Sequence, residues 1–146
     1  MAEWEGSESH VYRDVAGLPT IGVGHLLTQD ELSSGKIIID SEEVRYGEGL
    51  TEAQIIALLG QDLDRFETCV TNSAQVDLTQ NQFDALVSFA FNVGITAFRN
   101  STLLKRLNQG NYDEVPNQMR RWVYSGGQRV IGLINRRENE SNLWMA

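Results

Sequence analysis

The spacing of apolar and polar positions changes at Thr51. Before it, apolar residues come in short β-branched or alternating runs. One run is Thr20-Ile21-Gly22-Val23-Gly24-His25, extended by Leu26 and Leu27; another spans Lys36 to Ile39. Gly17, Pro19, Gly22 and Gly24 punctuate the first run as a tight antiparallel hairpin. Thr28 to Leu32 reads as a turn or single helical turn, broken at Ser33-Ser34-Gly35. Asp40 to Gly49 reads as an acidic loop, whose Gly47 and Gly49 suit a mobile rim. From Thr51 onward the period is helical. Thr51-Glu52-Ala53-Gln54 is a capping box, followed by Ile55, Leu59, Leu63, Phe66 and Val70 on one face for roughly five turns. A second capping box, Thr79 to Gln82, opens a helix through Phe83, Leu86, Val87, Ala90 and Phe91, with Gly94 as its stop. Asn100-Ser101 starts a helix with Leu103, Leu104 and Leu107 inward and Gly110 at its end. Val115, Met119, Trp122 and Val123 form another stripe. Ser125-Gly126-Gly127 turns the chain, and Ile131 to Trp144 gives the last helix.

These patterns predict an α+β chain, mostly α, organised as one domain over residues 1–146. A β-rich lobe is expected over 11–50 and a helical lobe over 51–146, beginning with a helix long enough to connect the two. There are no internal repeats and no low-complexity linker.

Composition narrows the function classes. A chain of 146 residues with 41% hydrophobic and 22% charged residues can bury one core. No apolar run approaches the roughly 18 residues that span a bilayer, so stable membrane insertion is not expected. The N-terminus shows no basic region followed by an apolar block, so no signal peptide is expected. Cys69 is the single cysteine, which rules out an internal disulfide and reads as a small apolar residue. Two histidines are too few for a typical zinc set, and no metal or cofactor is expected. The net charge is -8, unevenly spread. Arg13, Lys36, Arg45 and Arg65 are the only basic residues among the first 98 positions, whereas the remainder carries an excess of arginine and lysine. Such a basic portion would draw an anionic polymer. The acidic balance and the lack of a basic-aromatic stripe argue against nucleic acid.

The chemistry concentrates between Glu5 and Thr28. Glu5 and Asp14 lie nine positions apart, and Thr20 follows six later. Two facing carboxylates suit acetal hydrolysis: one donates a proton to the leaving oxygen and the other, ionised, acts on the opposite face. A short hydroxyl on the returning strand suits the ordering of a water. Taken alone, Glu5 and Asp14 are two of 20 acidic residues and read by default as solvated surface groups, and Thr20 as an ordinary strand residue.

The order of the whole stretch carries more. E-G at Glu5, Y-R-D ending at Asp14, and G-L-P-T-I-G-V-G-H-L ending at Leu26 resemble the catalytic segment of the phage-type lysozymes, the tailed-phage endolysins. Further along, Q-F-D-A-L-V-S-F-A-F-N-V-G, F-R-N-S-T-L-L-K-R-L-N, W-x-x-x-G-G and G-L-x-x-R-R-x-x-E follow in the same order as in that family, so the resemblance covers nearly the whole chain. It implies a lysozyme-like fold and hydrolysis of the β-1,4 bond after N-acetylmuramic acid in peptidoglycan glycan strands. It implies Glu5 as general acid, Asp14 as second carboxylate and Thr20 as holder of the water. An inverting member would separate its carboxyls by roughly 6.5–9.5 Å, a retaining one by about 5 Å.

The resemblance also implies that Leu26, Phe91 and Ser101 line the substrate groove, although periodicity reads Leu26 and Phe91 as core and Ser101 as a helix N-cap. It pairs His25 with Asp62, which would raise the imidazole pKa. It sets Arg136 and Arg137 either as support for the catalytic carboxylate or as surface ion pairs. Only four residues precede Glu5, where the family has a longer leading helix, so a shortened lead-in or a start inside a longer protein is expected. The implied life cycle is synthesis in the host cytoplasm as a monomer, then action on the cell wall after holin-type release, or carriage in the virion. Two other readings remain open: a lytic transglycosylase, and an inactive wall-binding or phage-tail structural domain.

Overall fold

The computed structural model describes residues 8–14 and 18–146. Glu5 and the turn glycine Gly17 lie outside the described residues. The chain divides into two compact units, Met1–Asp64 and Arg65–Ala146.

The first unit begins with a three-stranded antiparallel sheet of β1 (Glu8–Arg13), β2 (Pro19–Gly22) and β3 (His25–Leu26), in that order. The run from Thr20 to His25 is therefore two strands rather than one. Gly22 (φ 67) and Gly24 (φ 72) take the left-handed backbone that folds it back, placing Ile21 opposite His25 and Thr20 opposite Leu26. Helix α1 (Gln29–Ser34) follows. It runs through Ser33 and Ser34, and Gly35 caps it in the left-handed region. Thr28 and Glu31 form its capping box, a T-x-x-E pattern legible in the sequence.

The stretch from Asp40 to Gly49 contains a strand and is not simply an acidic loop. β4 (Lys36–Ile39) pairs in register with β5 (Glu42–Arg45). Asp40 (φ 52) and Ser41 (φ 67) supply the two positive φ angles of a two-residue hairpin turn. Glutamates mask β5 in the sequence, and its pairing to β4 supplies what its composition lacks. Gly49 (φ 96) lies against the His10 ring so closely that an added Cβ would fall 2.9 Å from it. The Leu50 amide donates to Ser9 O nearby, tying this loop to β1.

Helix α2 (Glu52–Ser73) carries the expected capping box, with the Thr51 hydroxyl accepting from Gln54 N and the Gln54 side chain accepting from Thr51 N. The division between the units falls within this helix. In the first unit its Ile55 and Leu58 complete a core with Ile21, Val23, Leu27, Ile37, Ile39, Tyr46 and Leu50. Leu58 is buried there, and the expected Leu59 is half-buried and packs against the same core. The buried face advances by three residues there and then by four to Asp62.

The second unit is built around α3 (Gln80–Val93), whose residues Ala85 to Phe91 are all buried. A helix buried on every side is central, and α3 packs chiefly on α7 (Ile131–Met145). Gly94 ends α3 and also starts α4 (Ile95–Arg99), a short helix hidden in the sequence by the glycine that reads as a stop. Ser101 caps α5 (Thr102–Asn108) as expected. A 3₁₀ turn at Tyr112–Glu114 leads into α6 (Val115–Met119). The stripe reaching Trp122 and Val123 is not one helix. The Val130 amide donates to Val123 O, drawing Val123 into the ladder of β6 (Tyr124–Ser125) and β7 (Gln128–Arg129). Gly126 (φ 60) and Gly127 (φ 79) make the turn of that hairpin, as their sequence suggests.

Candidate active site

Asp14 follows directly on β1 and is half-buried. It is fixed by the returning chain. The Asp14 amide donates to Leu18 O at 3.0 Å, and the Leu18 amide donates to Asp14 Oδ1 at 2.9 Å. Thr20, on β2, is 1% exposed. Its hydroxyl donates to the same Leu18 carbonyl at 2.9 Å. Both side chains are therefore referenced to one main-chain residue. With its proton committed to Leu18, the Thr20 oxygen meets any further group as an acceptor.

Leu26 lies opposite Thr20 on β3 and is 47% exposed, so its reading as core does not hold. Phe91 and Ser101 belong to the second unit. Phe91 is buried, its ring centroid 5.1 Å from that of Phe66. Ser101 is buried as well, accepting from Leu104 N at 3.1 Å and donating to Phe98 O at 2.7 Å. One hydroxyl lone pair is left over from these bonds. Among the described residues no group of three or more His, Cys, Asp or Glu is arranged to hold a metal ion.

Two networks hold the elements around these residues. In the first unit, His25 Nδ1 lies 2.8 Å from Asp62 Oδ2, the expected pair, and His25 Nε2 lies 2.8 Å from Glu31 Oε1. Glu31 is the partner that the sequence reading missed. Its position in the Thr28 capping box, where its carboxylate also accepts from Thr28 N, was the available signal. Burial opposes charge on the imidazole, but the two carboxylates outweigh it and raise the His25 pKa above 6.5. A raised pKa gives stabilisation that is complete below about 6.5 and fades as pH climbs through the folded value. Unfolding followed by urea from pH 6 upward is expected to show this loss, and Asp62→Asn should flatten it. An NMR titration placing His25 at or below 6.5 would contradict it.

In the second unit, Glu140 is fully buried on α7. Its Oε2 accepts from Ser88 Oγ at 2.6 Å, Arg136 Nε at 3.2 Å and an Arg137 Nη at 3.2 Å. Arg137 Nε lies 2.7 Å from Oε1 at an angle outside the hydrogen-bond range, so that contact is an ion pair. Arg136 also donates to Ser88 O, and Arg137 to Asn92 Oδ1 and Trp122 O. Burial pushes the Glu140 carboxyl up, against the pull of the two guanidiniums and the Ser88 hydroxyl. Arg136 and Arg137 are thus buried, not surface ion pairs. Any relation to Glu5 lies outside the described residues.

The phage lysozyme family model matches residues 2–140 of this sequence. The chain belongs to the phage lysozyme family. Over 133 residues it is 42% identical to the SAR-endolysin of Escherichia phage Mu, spanning 91% of this chain and 69% of that protein. Over 142 residues it is 37% identical to the endolysin of Salmonella phage P22, spanning 97% and 90%. Among solved structures, the muramidase domain of SpmX from Asticaccaulis excentricus is similar with a TM-score of 0.77 at 34% identity, covering 99% of this chain and 91% of that one. The lysozyme therefore has the mixed, mostly helical fold expected of it, and it is a glycoside hydrolase of the phage endolysin type.

Proposed function

We propose that this lysozyme cleaves the β-1,4 bond between N-acetylmuramic acid and N-acetylglucosamine in peptidoglycan, with Glu5, Asp14 and Thr20 as its chemical groups. The observation that supports this reading most is the shared anchoring of Asp14 and Thr20 on Leu18. A water between the two side chains meets two acceptors. Its hydrogens turn to the Asp14 carboxylate and the Thr20 oxygen, which leaves a lone pair directed away from both, toward an anomeric carbon. Glu5, as general acid, delivers a proton to the departing glycosidic oxygen, and Asp14 takes one from the water. Anchoring to main chain holds this geometry without rearrangement during the reaction.

Leu26, Phe91 and Ser101 are the proposed groove residues. The exposed Leu26 offers an apolar edge to a sugar ring, and Ser101 its remaining lone pair. We read the working form as a monomeric single domain acting on glycan strands, without nucleic acid or cofactor. No helix among the described residues is long and apolar enough to cross a membrane. Holin-type release and carriage in the virion are the proposed routes to the cell wall.

Mass spectrometry of fragments released from purified peptidoglycan tests the reaction. Hydrated reducing-end muramic acid, lost in Glu5→Gln, is the expected result. Anhydro-muramic ends would make the protein a transglycosylase. An absence of fragments from every wall preparation would make it a wall-binding or structural domain.

A further inference from the structure

The sheet register joins one more residue to the groups above. Tyr12 on β1 lies opposite Thr20, and Thr20 lies opposite Leu26. Directly opposed residues in an antiparallel ladder point to the same face, so Tyr12, Thr20 and Leu26 form one row across the sheet. The central member is short and its neighbours are long. That explains why Thr20 is almost inaccessible while Leu26 is 47% exposed and Tyr12 half-buried. The row sets a short hydroxyl residue between an aromatic and an aliphatic side chain on one face of the sheet. Asp14 stands two residues beyond Tyr12 along the same strand direction.

We propose that Tyr12 is a substrate-binding residue that stacks its ring on the apolar face of a pyranose of the glycan strand. This rests on the role given above to Asp14 and Thr20. The chemistry of this row and of the neighbouring Asp14 selects the occupant. A pyranose offers a flat C–H face to a ring and equatorial polar groups to a hydroxyl oxygen and a carboxylate, which this row and Asp14 supply together. A wholly apolar ligand would match neither the acceptor capacity of the Thr20 oxygen nor the Asp14 carboxylate. A polyanion would meet Asp14 and Glu8 at the two ends of β1.

The test is steady-state hydrolysis of purified peptidoglycan by Tyr12→Ala, Tyr12→Phe and Tyr12→Leu beside the wild type. Sedimentation binding to intact walls is measured in an Asp14→Asn background. Loss of an aromatic stack predicts a KM about tenfold higher for Tyr12→Ala, with kcat changed much less, and a matching loss of wall binding. Tyr12→Phe keeps the ring and should restore both. Tyr12→Leu keeps an apolar side chain in the row and serves if the alanine variant fails to fold; it too should show the raised KM. A wild-type KM in the leucine or alanine variant, or a phenylalanine variant no better than alanine, would overturn the assignment. If the wild type itself releases no fragments, the muramidase reading fails instead, so the two failures are distinct.

Discussion

Exchanging Asp14 for asparagine is expected to lower peptidoglycan fragment release by roughly 10²–10⁴-fold and to leave the protein folded. Asparagine keeps an oxygen where Asp14 Oδ1 accepts from Leu18 N, so the turn that also holds Thr20 persists. What disappears is the negative charge and the ability to take a proton from water. Those are the properties that a carboxylate facing an oxocarbenium-like transition state contributes. The paired measurements are fragment yield by mass spectrometry and the thermal unfolding curve. An unchanged curve with lost activity assigns the loss to chemistry. A variant that keeps full activity would remove Asp14 from the mechanism.

The second large effect is on stability. Glu140→Ala removes the carboxylate on which Arg136 and Arg137 converge and leaves two guanidiniums buried against Ser88, Asn92 and Phe89. Breaking a buried ion pair from one side costs about 3–5 kcal/mol. Against a total stability of roughly 5–15 kcal/mol, that is about a fifth or more of what holds a domain folded. The urea midpoint should fall accordingly with little change in slope. The exposed Lys36–Glu43 pair is the contrast. Removing it with Lys36→Ala should shift stability by no more than about 1 kcal/mol, because water and salt already screen it. A Glu140→Ala protein as stable as the wild type would show that the two arginines find other partners at no cost.

Several elements were legible from local chemistry alone. The capping boxes at Thr51 and Thr79, the Ser101 cap and the Gly126-Gly127 turn all lie where their residue types place them. Each depends on a hydrogen bond or a backbone angle decided within three or four residues, so no distant contact can override it cheaply. The His25–Asp62 pair is legible only through family resemblance, since nothing local connects residues so far apart. The capping role of Glu31 is a sufficient local explanation of that residue, while its second bond, to His25, depends on how α1 packs.

The sequence by itself determined the period of each segment, the ends of most helices, and the identity and order of Glu5, Asp14 and Thr20. Only the tertiary structure decided that β5 is a strand, that Val123 leaves the helical stripe for a ladder, and that Leu58 is buried more deeply than Leu59 in the core they share. It also decided that Arg136 and Arg137 are buried around Glu140 and that Tyr12 shares a row with Thr20 and Leu26. The physical reason is the same in each case. Strand pairing and burial are settled by the partners a segment packs against, and the residue types of that segment alone carry no record of them.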